Sequence, residues 1–80
     1  MKKYIFLDLQ TGRFSAHTTL EGLAEMCFDD LCRIEPKLSK DYEGRDPEKD
    51  KELIELYEYK LLEPTSELIE EYEKYFDGKF

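Results

Sequence analysis

The segment KYIFLDLQTGRFSAHT, residues 3–18, has the pattern of a β-hairpin, and the rest of the predicted fold is built around it. Thr11-Gly12 is its predicted two-residue turn, because glycine tolerates the positive φ that such turns require. This turn places Leu9 opposite Phe14 and Leu7 opposite Ala16. Strand alternation then puts two sets of residues on opposite faces, the first being Ile5, Leu7, Leu9, Phe14 and Ala16 and the second Tyr4, Phe6, Asp8, Ser15 and His17.

Three residues of the second set, Tyr4, Phe6 and His17, form an aromatic patch on the outer face of the predicted hairpin. A two-stranded sheet is seldom stable alone in water, so this patch needs a cover. Two covers are open at this point. The last helix and Phe80 can lie over the patch, or the hairpin edge and its aromatic face can bind a partner or a second copy of the chain.

A helix is predicted directly after the hairpin. Thr18 and Glu21 have the spacing of a capping box, which marks a helix start, and Pro36 stops the helix. The residues that follow Thr18 place an apolar stripe at helical spacing, consisting of Leu20, Leu23, Ala24, Cys27, Phe28, Leu31 and Ile34, opposite Glu25, Asp29 and Arg33.

Residues 35–46, EPKLSKDYEGRD, are predicted to be a loop because they mix proline, glycine and charge. A structureless connection of this length is unusual in a small domain. The segment therefore has room for a short third strand or a turn of helix, and Leu38 and Tyr42 are its predicted anchors on the core.

A second helix is predicted to begin at Asp46, which suits an N-cap, with Pro47 in the first helical position. Pro64 ends or kinks it. Its predicted apolar face consists of Leu53, Ile54, Tyr57 and Leu61.

The last predicted helix is capped by Thr65 or Ser66 and closed by Gly78. Its apolar face consists of Leu68, Ile69, Tyr72, Tyr75 and Phe76. The predicted fold is therefore a single α+β domain over residues 1–80, with an N-terminal hairpin packed against three helices in the order ββααα.

The charge of the chain is strongly acidic and lies mostly in its second half. The net charge is −8; residues 1–34 hold five acidic and four basic residues, whereas residues 35–80 hold fifteen and eight. Such a surface repels phosphate, which disfavours nucleic acid and anionic membranes as direct partners and favours a basic protein. The apolar run near the N-terminus breaks at Asp8, too early for a signal peptide, so a cytoplasmic location is expected.

No set of residues in the sequence has the spacing of a catalytic or metal site. His17 is the one histidine, and together with Cys27 and Cys32 it matches no paired zinc motif. The two cysteines are expected to be reduced thiols, with Cys27 in the core. We expect a protein that is not an enzyme and that needs no cofactor or metal.

Glutamates crowd the last two predicted helices. Glu48, Glu52 and Glu55 fall within about 60° of one another, opposite the apolar face, with Tyr59 in their midst. Acidic residues also cover the solvent side of the last helix, with Lys74 as the local counter-charge; they are Glu67, Glu70, Glu71, Glu73 and Asp77. This charge either keeps the protein soluble or forms a binding surface for a basic partner, with the candidate contacts Glu48, Glu52, Glu55, Tyr59, Glu67, Glu70 and Glu73.

The combination of a short hairpin, a capped helix (YIFLDLQTGRFSAHTTLEGLAEM, residues 4–26) and a glutamate-rich helical tail resembles small acidic proteins encoded by bacterial viruses, anti-CRISPR proteins among them. The resemblance implies an inhibitor that mimics DNA and occupies the basic channel of a nucleic-acid-binding host enzyme, in the host cytoplasm. The alternative is a regulatory or assembly module, such as an antitoxin or a homodimeric phage accessory protein, which binds through the hairpin edge and aromatic face. The chain is accordingly expected to be a monomer or a homodimer.

Overall fold

The computed structural model describes residues 2–80, and within that range the chain forms one antiparallel sheet with helices on both of its faces. The sheet has three strands in the spatial order β2-β1-β3, so the α+β class is confirmed, but the order ββααα is not. In chain order the elements are β1 (Ile5–Asp8), β2 (Arg13–Phe14), α1 (Leu20–Ile34), α2 (Pro36–Ser39), a 3₁₀ turn (Lys40–Tyr42), α3 (Pro47–Leu56), β3 (Tyr59–Leu62) and α4 (Ser66–Phe76). No helix in residues 2–80 combines the length and the apolar character that crossing a membrane requires.

Strand β3 is the main departure from the predicted fold, because Tyr59–Leu62 was expected to continue the second helix. Helix α3 instead ends at Leu56, and Glu58 adopts a left-handed conformation with φ 59° that turns the chain back. The strand then pairs with β1, with Ile5 opposite Leu62. Strand β1 thereby becomes the central strand, and its backbone groups find partners on both edges.

The hairpin turn holds four residues rather than two, which shifts the predicted register by two positions. Leu7 lies opposite Phe14 and Asp8 opposite Arg13. Asp8 stabilises the longer turn, because its carboxylate accepts a hydrogen bond from the Gln10 N–H at 2.9 Å and its carbonyl accepts one from the Gly12 N–H at 2.8 Å. Leu9 was predicted to lie opposite Phe14 in the first strand, but it belongs to this turn and is 57% exposed.

The two faces of the sheet pack against different helices. Phe6 is fully buried in a core built from α1 and α3, together with Leu23, Ala24, Cys27, Leu31, Leu53 and Ile54. By strand alternation Leu7 and Phe14 lie on the opposite face. That face is covered by α4, where Tyr72 packs on Phe14 with ring centroids 6.0 Å apart.

Side-chain caps set the starts of the three longer helices. Thr19, one residue after the predicted Thr18, accepts a hydrogen bond from the Gly22 N–H at the start of α1. Asp46 and Thr65 cap α3 and α4 as predicted. Each of these caps satisfies an N–H group that the helix itself leaves unpaired.

Residues 35–46 contain a turn of helix, one of the two alternatives that the sequence left open. The turn is α2, which is followed directly by the 3₁₀ turn. Leu38 and Tyr42 pack against the core as predicted. At the other end of the chain, Asp77 rather than Gly78 takes the left-handed conformation that closes α4, with φ 52°.

Candidate functional site

The acidic residues lie on two separate surfaces rather than on one. Glu48, Glu52 and Glu55 are exposed on α3, which packs on the Phe6 face of the sheet. Glu67 and Glu70 are exposed on α4, which packs on the opposite face. Because the sheet lies between these helices, their outer sides point away from each other, and the predicted contact residues do not form a single continuous plate.

The α3 surface is partly neutralised by lysines within the same helix. Lys49 and Lys51 are both exposed between the glutamates. The Lys49 ammonium lies 3.3 Å from a Glu52 carboxylate oxygen and also sits 5.7 Å from the centre of the Tyr42 ring. This surface is therefore a mixed one in which one of the three predicted glutamates is paired.

The acidic surface on helix α4 is neutralised less by basic residues than the surface on α3. We call it the α4 acidic face and define it as Glu67, Glu70 and Glu71. All three side chains are exposed, and none lies within 4.0 Å of a basic group in residues 2–80. Like charges three and four residues apart on a helix repel by about 0.2–0.5 kcal/mol per pair. The face therefore costs the isolated helix free energy, which a cationic partner would recover.

Glu73 has a different environment from the three residues of the α4 acidic face. It is half-buried, and its carboxylate accepts a hydrogen bond from the backbone N–H of Phe80 at 3.0 Å. The carboxylate thus holds the C-terminal residue against the helix.

Tyr59 does not lie among the glutamates, because it is the first residue of β3. Its ring is half-buried against the main core. Burial, with a smaller contribution from the charge of Asp8, raises the pKa of its hydroxyl. The prediction that Tyr59 is exposed on a helix surface was wrong, and the cause is the strand that replaces the end of that helix.

Exposed aromatic rings instead accompany the α4 acidic face. Tyr75 is 49% exposed and Phe76 is also exposed. Tyr75 packs edge-on against Phe14 with centroids 5.5 Å apart, and Phe76 lies 4.6 Å from the ring of Tyr72. The sequence places both residues on the apolar side of the last helix. Helical periodicity alone could not show that the sheet covers only part of this apolar side and leaves the two rings exposed.

Helix α4 is fixed on the sheet by contacts between aromatic rings. We call these rings the aromatic cluster and define it as Phe14, Tyr72, Tyr75, Phe76 and Phe80. The Tyr72 hydroxyl donates a hydrogen bond to the Ala16 carbonyl at 3.2 Å, and the Phe80 ring packs edge-on against Tyr72 at 5.3 Å. Lys3 donates a hydrogen bond to the Phe80 carbonyl at 2.9 Å. These contacts give the α4 acidic face a fixed position, which a surface needs if it is to present charge without losing entropy on binding.

The predicted aromatic patch of Tyr4, Phe6 and His17 is not an exposed surface. Phe6 is completely buried, and Tyr4 and His17 are half-buried. Helices α1 and α3 cover Phe6, whereas the sequence predicted either the last helix or a partner. The two faces of the hairpin hold the predicted residues, because a shift of two positions leaves each side chain on its own face. What differs is the cover: α1 and α3 pack on the Phe6 face and α4 on the opposite face.

An open groove of about 430 Å³ lies beside the second half of α1, and its lining residues are Met26, Cys27, Asp29, Asp30, Arg33, Tyr57 and Tyr59. The Tyr57 hydroxyl donates a hydrogen bond to Asp30 Oδ2 at 3.1 Å, and Arg33 also pairs with Asp30. Burial, followed by this hydrogen bond, raises the pKa of Tyr57 to about 12. Burial likewise raises the pKa of Cys27 to about 11. Both groups stay protonated at neutral pH, so neither is an activated nucleophile or base.

A buried charge cluster centres on Arg45, a residue of the loop before α3 to which the sequence assigned no role. Arg45 Nε lies 2.6 Å from Asp50 Oδ1, and the side chains are only 13% and 10% exposed. Neither atom has a hydrogen-bond partner within residues 2–80, so charge holds the contact rather than a linear hydrogen bond. The guanidinium also lies 3.0 Å from Glu25 and 5.0 Å from the Phe28 ring centre. This cluster ties the loop to α1 and α3.

In the part of the chain that the structure describes, no three His, Cys, Asp or Glu side chains are placed where they could jointly hold a metal ion. The surface features are thus two acidic helix faces, an aromatic cluster and several open grooves. Comparison with known proteins finds no matching family model, no matching curated protein and no matching solved structure.

Proposed function

We propose that this chain is a non-catalytic interaction protein whose α4 acidic face binds a basic partner. The proposed partner is a nucleic-acid-binding host enzyme of the CRISPR effector class, which the chain inhibits in the manner of a phage-encoded DNA mimic. The observation that carries the proposal is the set of exposed, unpaired carboxylates on α4, a helix held in place by the aromatic cluster.

The spacing of the α4 acidic face suits a row of cationic side chains. Glu67 and Glu71 are four residues apart, which is a rise of about 6 Å along the helix. Arginine residues that hold a nucleic-acid backbone are spaced on a similar scale, since successive phosphates repeat at a few ångströms along a strand. Each carboxylate can accept two hydrogen bonds from one guanidinium, which supplies geometric selectivity as well as attraction.

Tyr75 is the proposed aromatic anchor of the interface. It follows Glu71 by one helical turn, so the two side chains are neighbours on the helix surface. An arginine that pairs with Glu71 can therefore stack on the Tyr75 ring, a cation–π contact that is strongest when it is desolvated. Tyrosine is enriched among the residues that dominate binding energy in protein interfaces.

The proposed inhibition works by occupancy and needs no turnover. CRISPR effectors hold guide and target in positively charged channels and read a short DNA element with arginine side chains. A rigid acidic helix in such a channel pairs with the arginines that would otherwise contact DNA. Binding of the inhibitor and of DNA is then mutually exclusive.

The test compares two charge reversals of equal size. Glu67, Glu70 and Glu71 are changed to lysine in one variant, and Glu48, Glu52 and Glu55 in the other. Displacement of labelled target DNA from a guide-loaded effector is measured for both. Because charge-assisted hydrogen bonds contribute about 1.5–3 kcal/mol each, the α4 variant should lose more than a hundredfold in affinity, and the α3 variant less than tenfold. Equal losses would show that only net charge matters, and no loss would refute the proposal.

A further inference from the structure

A groove of about 360 Å³ lies at the end of the molecule where α1, α2 and α3 meet the hairpin turn. We call it the helix-end groove and define it by its lining residues, which are Gln10, Leu31, Ile34, Glu35, Leu38, Leu56 and Tyr57. Four of these are aliphatic. The groove is separate from the α4 acidic face, because its helices pack on the other face of the sheet.

Two of the four aliphatic side chains of the helix-end groove are open to solvent, whereas Leu31 is buried and Leu38 half-buried. Ile34 is 63% exposed and Leu56 is 48% exposed. Leu9, also exposed, directly precedes the lining residue Gln10, and its N–H donates a hydrogen bond to the Glu58 carbonyl at 2.9 Å, two residues after Leu56. Contiguous exposed apolar side chains on a small protein mark an interaction surface more often than scattered ones do.

The electrostatic environment of the helix-end groove is negative. Helices α1 and α3 both end there, and their C-cap residues, Glu35 and Tyr57, line it. A helix C-terminus carries roughly half a unit of negative charge. The last turn of α3 has no basic residue to offset this charge, whereas the last turn of α1 holds Arg33. Glu35 adds a full negative charge, and the lining residues within the described part of the chain include no lysine or arginine.

We propose that the helix-end groove binds a cationic amphipathic helix of a partner protein, which inserts one or two aliphatic side chains between Ile34 and Leu56. Charge complementarity selects the basic partner, because the groove is apolar inside and negative at its edge. The lining residues come from helices and a turn rather than from a strand edge, so the groove offers no ladder of backbone groups to an extended peptide. A second copy is disfavoured, because a two-fold contact would bring two Glu35 residues and two pairs of negative helix ends together. This surface does not depend on the α4 acidic face.

The probe is a synthetic 14-residue helical peptide with leucines at positions i, i+3 and i+7 and lysines elsewhere. It is titrated into ¹⁵N-labelled protein while amide shifts are followed by NMR. Shifts should concentrate at Gln10, Leu38 and Leu56. The Leu56→Ser variant should bind at least tenfold more weakly, because serine removes the apolar contact at an exposed site that the fold tolerates. Met26→Ser, an exposed position on α1 outside the helix-end groove, is the matched control and should leave the affinity unchanged.

Three results would overturn the inference. A peptide with serines in place of the leucines could bind equally well, which would reduce the effect to charge. The shifts could fall on α4 instead of the helix-end groove. Sedimentation could show a dimer that Ile34→Ser dissociates, which would make a second copy the occupant. Reversal of Glu67, Glu70 and Glu71 should leave peptide binding in the groove intact, so a failure of the α4 proposal is distinguishable from a failure of this one.

Discussion

Replacement of Arg45 by methionine tests whether the buried charge cluster holds the loop before α3 in place. Methionine keeps much of the length of the side chain but removes the guanidinium. Asp50 then loses the cation 2.6 Å away, and the Phe28 ring loses the cation above it. The carboxylate of Asp50 stays buried at 10% exposure without a counter-charge.

The expected loss of stability follows from these separate contacts. Breaking a buried ion pair by removing one partner costs about 3–5 kcal/mol. The cation–π contact with Phe28 adds about 0.5–1 kcal/mol, and the exposed bridge to Glu25 contributes less than about 1 kcal/mol. Asp50 can take up a proton in the variant, which limits the total. We expect Arg45→Met to lower the free energy of unfolding by about 3 kcal/mol at pH 7.

The loss of stability in Arg45→Met should depend on pH, and the protonation of Asp50 determines whether it grows or shrinks as the pH rises. Desolvation raises the pKa of this carboxyl above its ordinary value of 3.8, and Arg45 opposes that rise. The folded state therefore holds the proton more tightly than the unfolded state does. The stability that Asp50 contributes is fully present below 3.8 and is lost as the pH rises through the raised folded-state pKa. Without Arg45 that pKa rises further, so the variant should differ least from the parent near pH 4 and most at pH 7.

Urea unfolding followed by circular dichroism at both pH values measures the effect. Arg33→Met is the matched control, because Arg33 is exposed and pairs with Asp30 at the surface; it should cost less than about 1 kcal/mol. The double variant Arg45→Met with Asp50→Leu should recover most of the loss, since an apolar pair can replace a buried ion pair. A loss below about 1 kcal/mol for Arg45→Met, equal at both pH values, would refute the reasoning.

Three further predictions concern the fold and the thiols. Glu58→Gly should raise the free energy of unfolding by about 0.5–1 kcal/mol in the same assay, because glycine relieves a left-handed conformation; a destabilised variant would contradict the turn before β3. Phe6→Ala should cost about 3–5 kcal/mol, whereas Leu9→Ala should change stability by less than about 0.5 kcal/mol; comparable costs would contradict the hairpin register. Cys32 should react with a thiol reagent at pH 7.5, and Cys27 only after unfolding; mass spectrometry that finds the two modified equally fast would show that Cys27 is not in the core.

Much of the local structure could be predicted because it depends on short-range chemistry. Asp46 and Thr65 cap their helices through their own side chains, and Pro36 ends α1 because proline cannot continue it. The anchoring of residues 35–46 by Leu38 and Tyr42 followed from the need to bury large side chains in a mostly polar segment.

Strand β3 could not be predicted from its own residues. Residues 52–62 keep an apolar spacing that fits a helix as well as a strand, so local periodicity could not exclude a longer helix. The deciding interaction is long-range: β1 has a free edge, and pairing with Tyr59–Leu62 satisfies its backbone. A two-stranded sheet is seldom stable alone, which indicated that the hairpin needed a cover but not that a third strand would pair with it.

The exposure of five of the seven candidate contact residues could be predicted from the sequence, but their arrangement could not. Helical spacing correctly placed Glu67 and Glu70 on the exposed side of α4. That α3 and α4 lie on opposite faces of the sheet depends on which helix packs on which face of β1, a long-range choice that helical spacing does not determine. Tyr59 was misplaced for a separate reason, because strand β3 replaces the end of the predicted second helix.

If the carboxylates of the α4 acidic face hold a basic partner by charge, as we propose, binding must weaken as salt screens that charge. The affinity for a guide-loaded effector is measured between 50 and about 300 mM salt, since screening lengths shorten below about 10 Å over this range. The comparison is between the parent chain and a variant in which Glu67, Glu70 and Glu71 are glutamine. The dissociation constant of the parent should rise steeply with salt, and the variant should bind weakly with a much flatter response. Tight binding of the parent that does not change with salt, or an identical slope for the glutamine variant, would contradict the proposal.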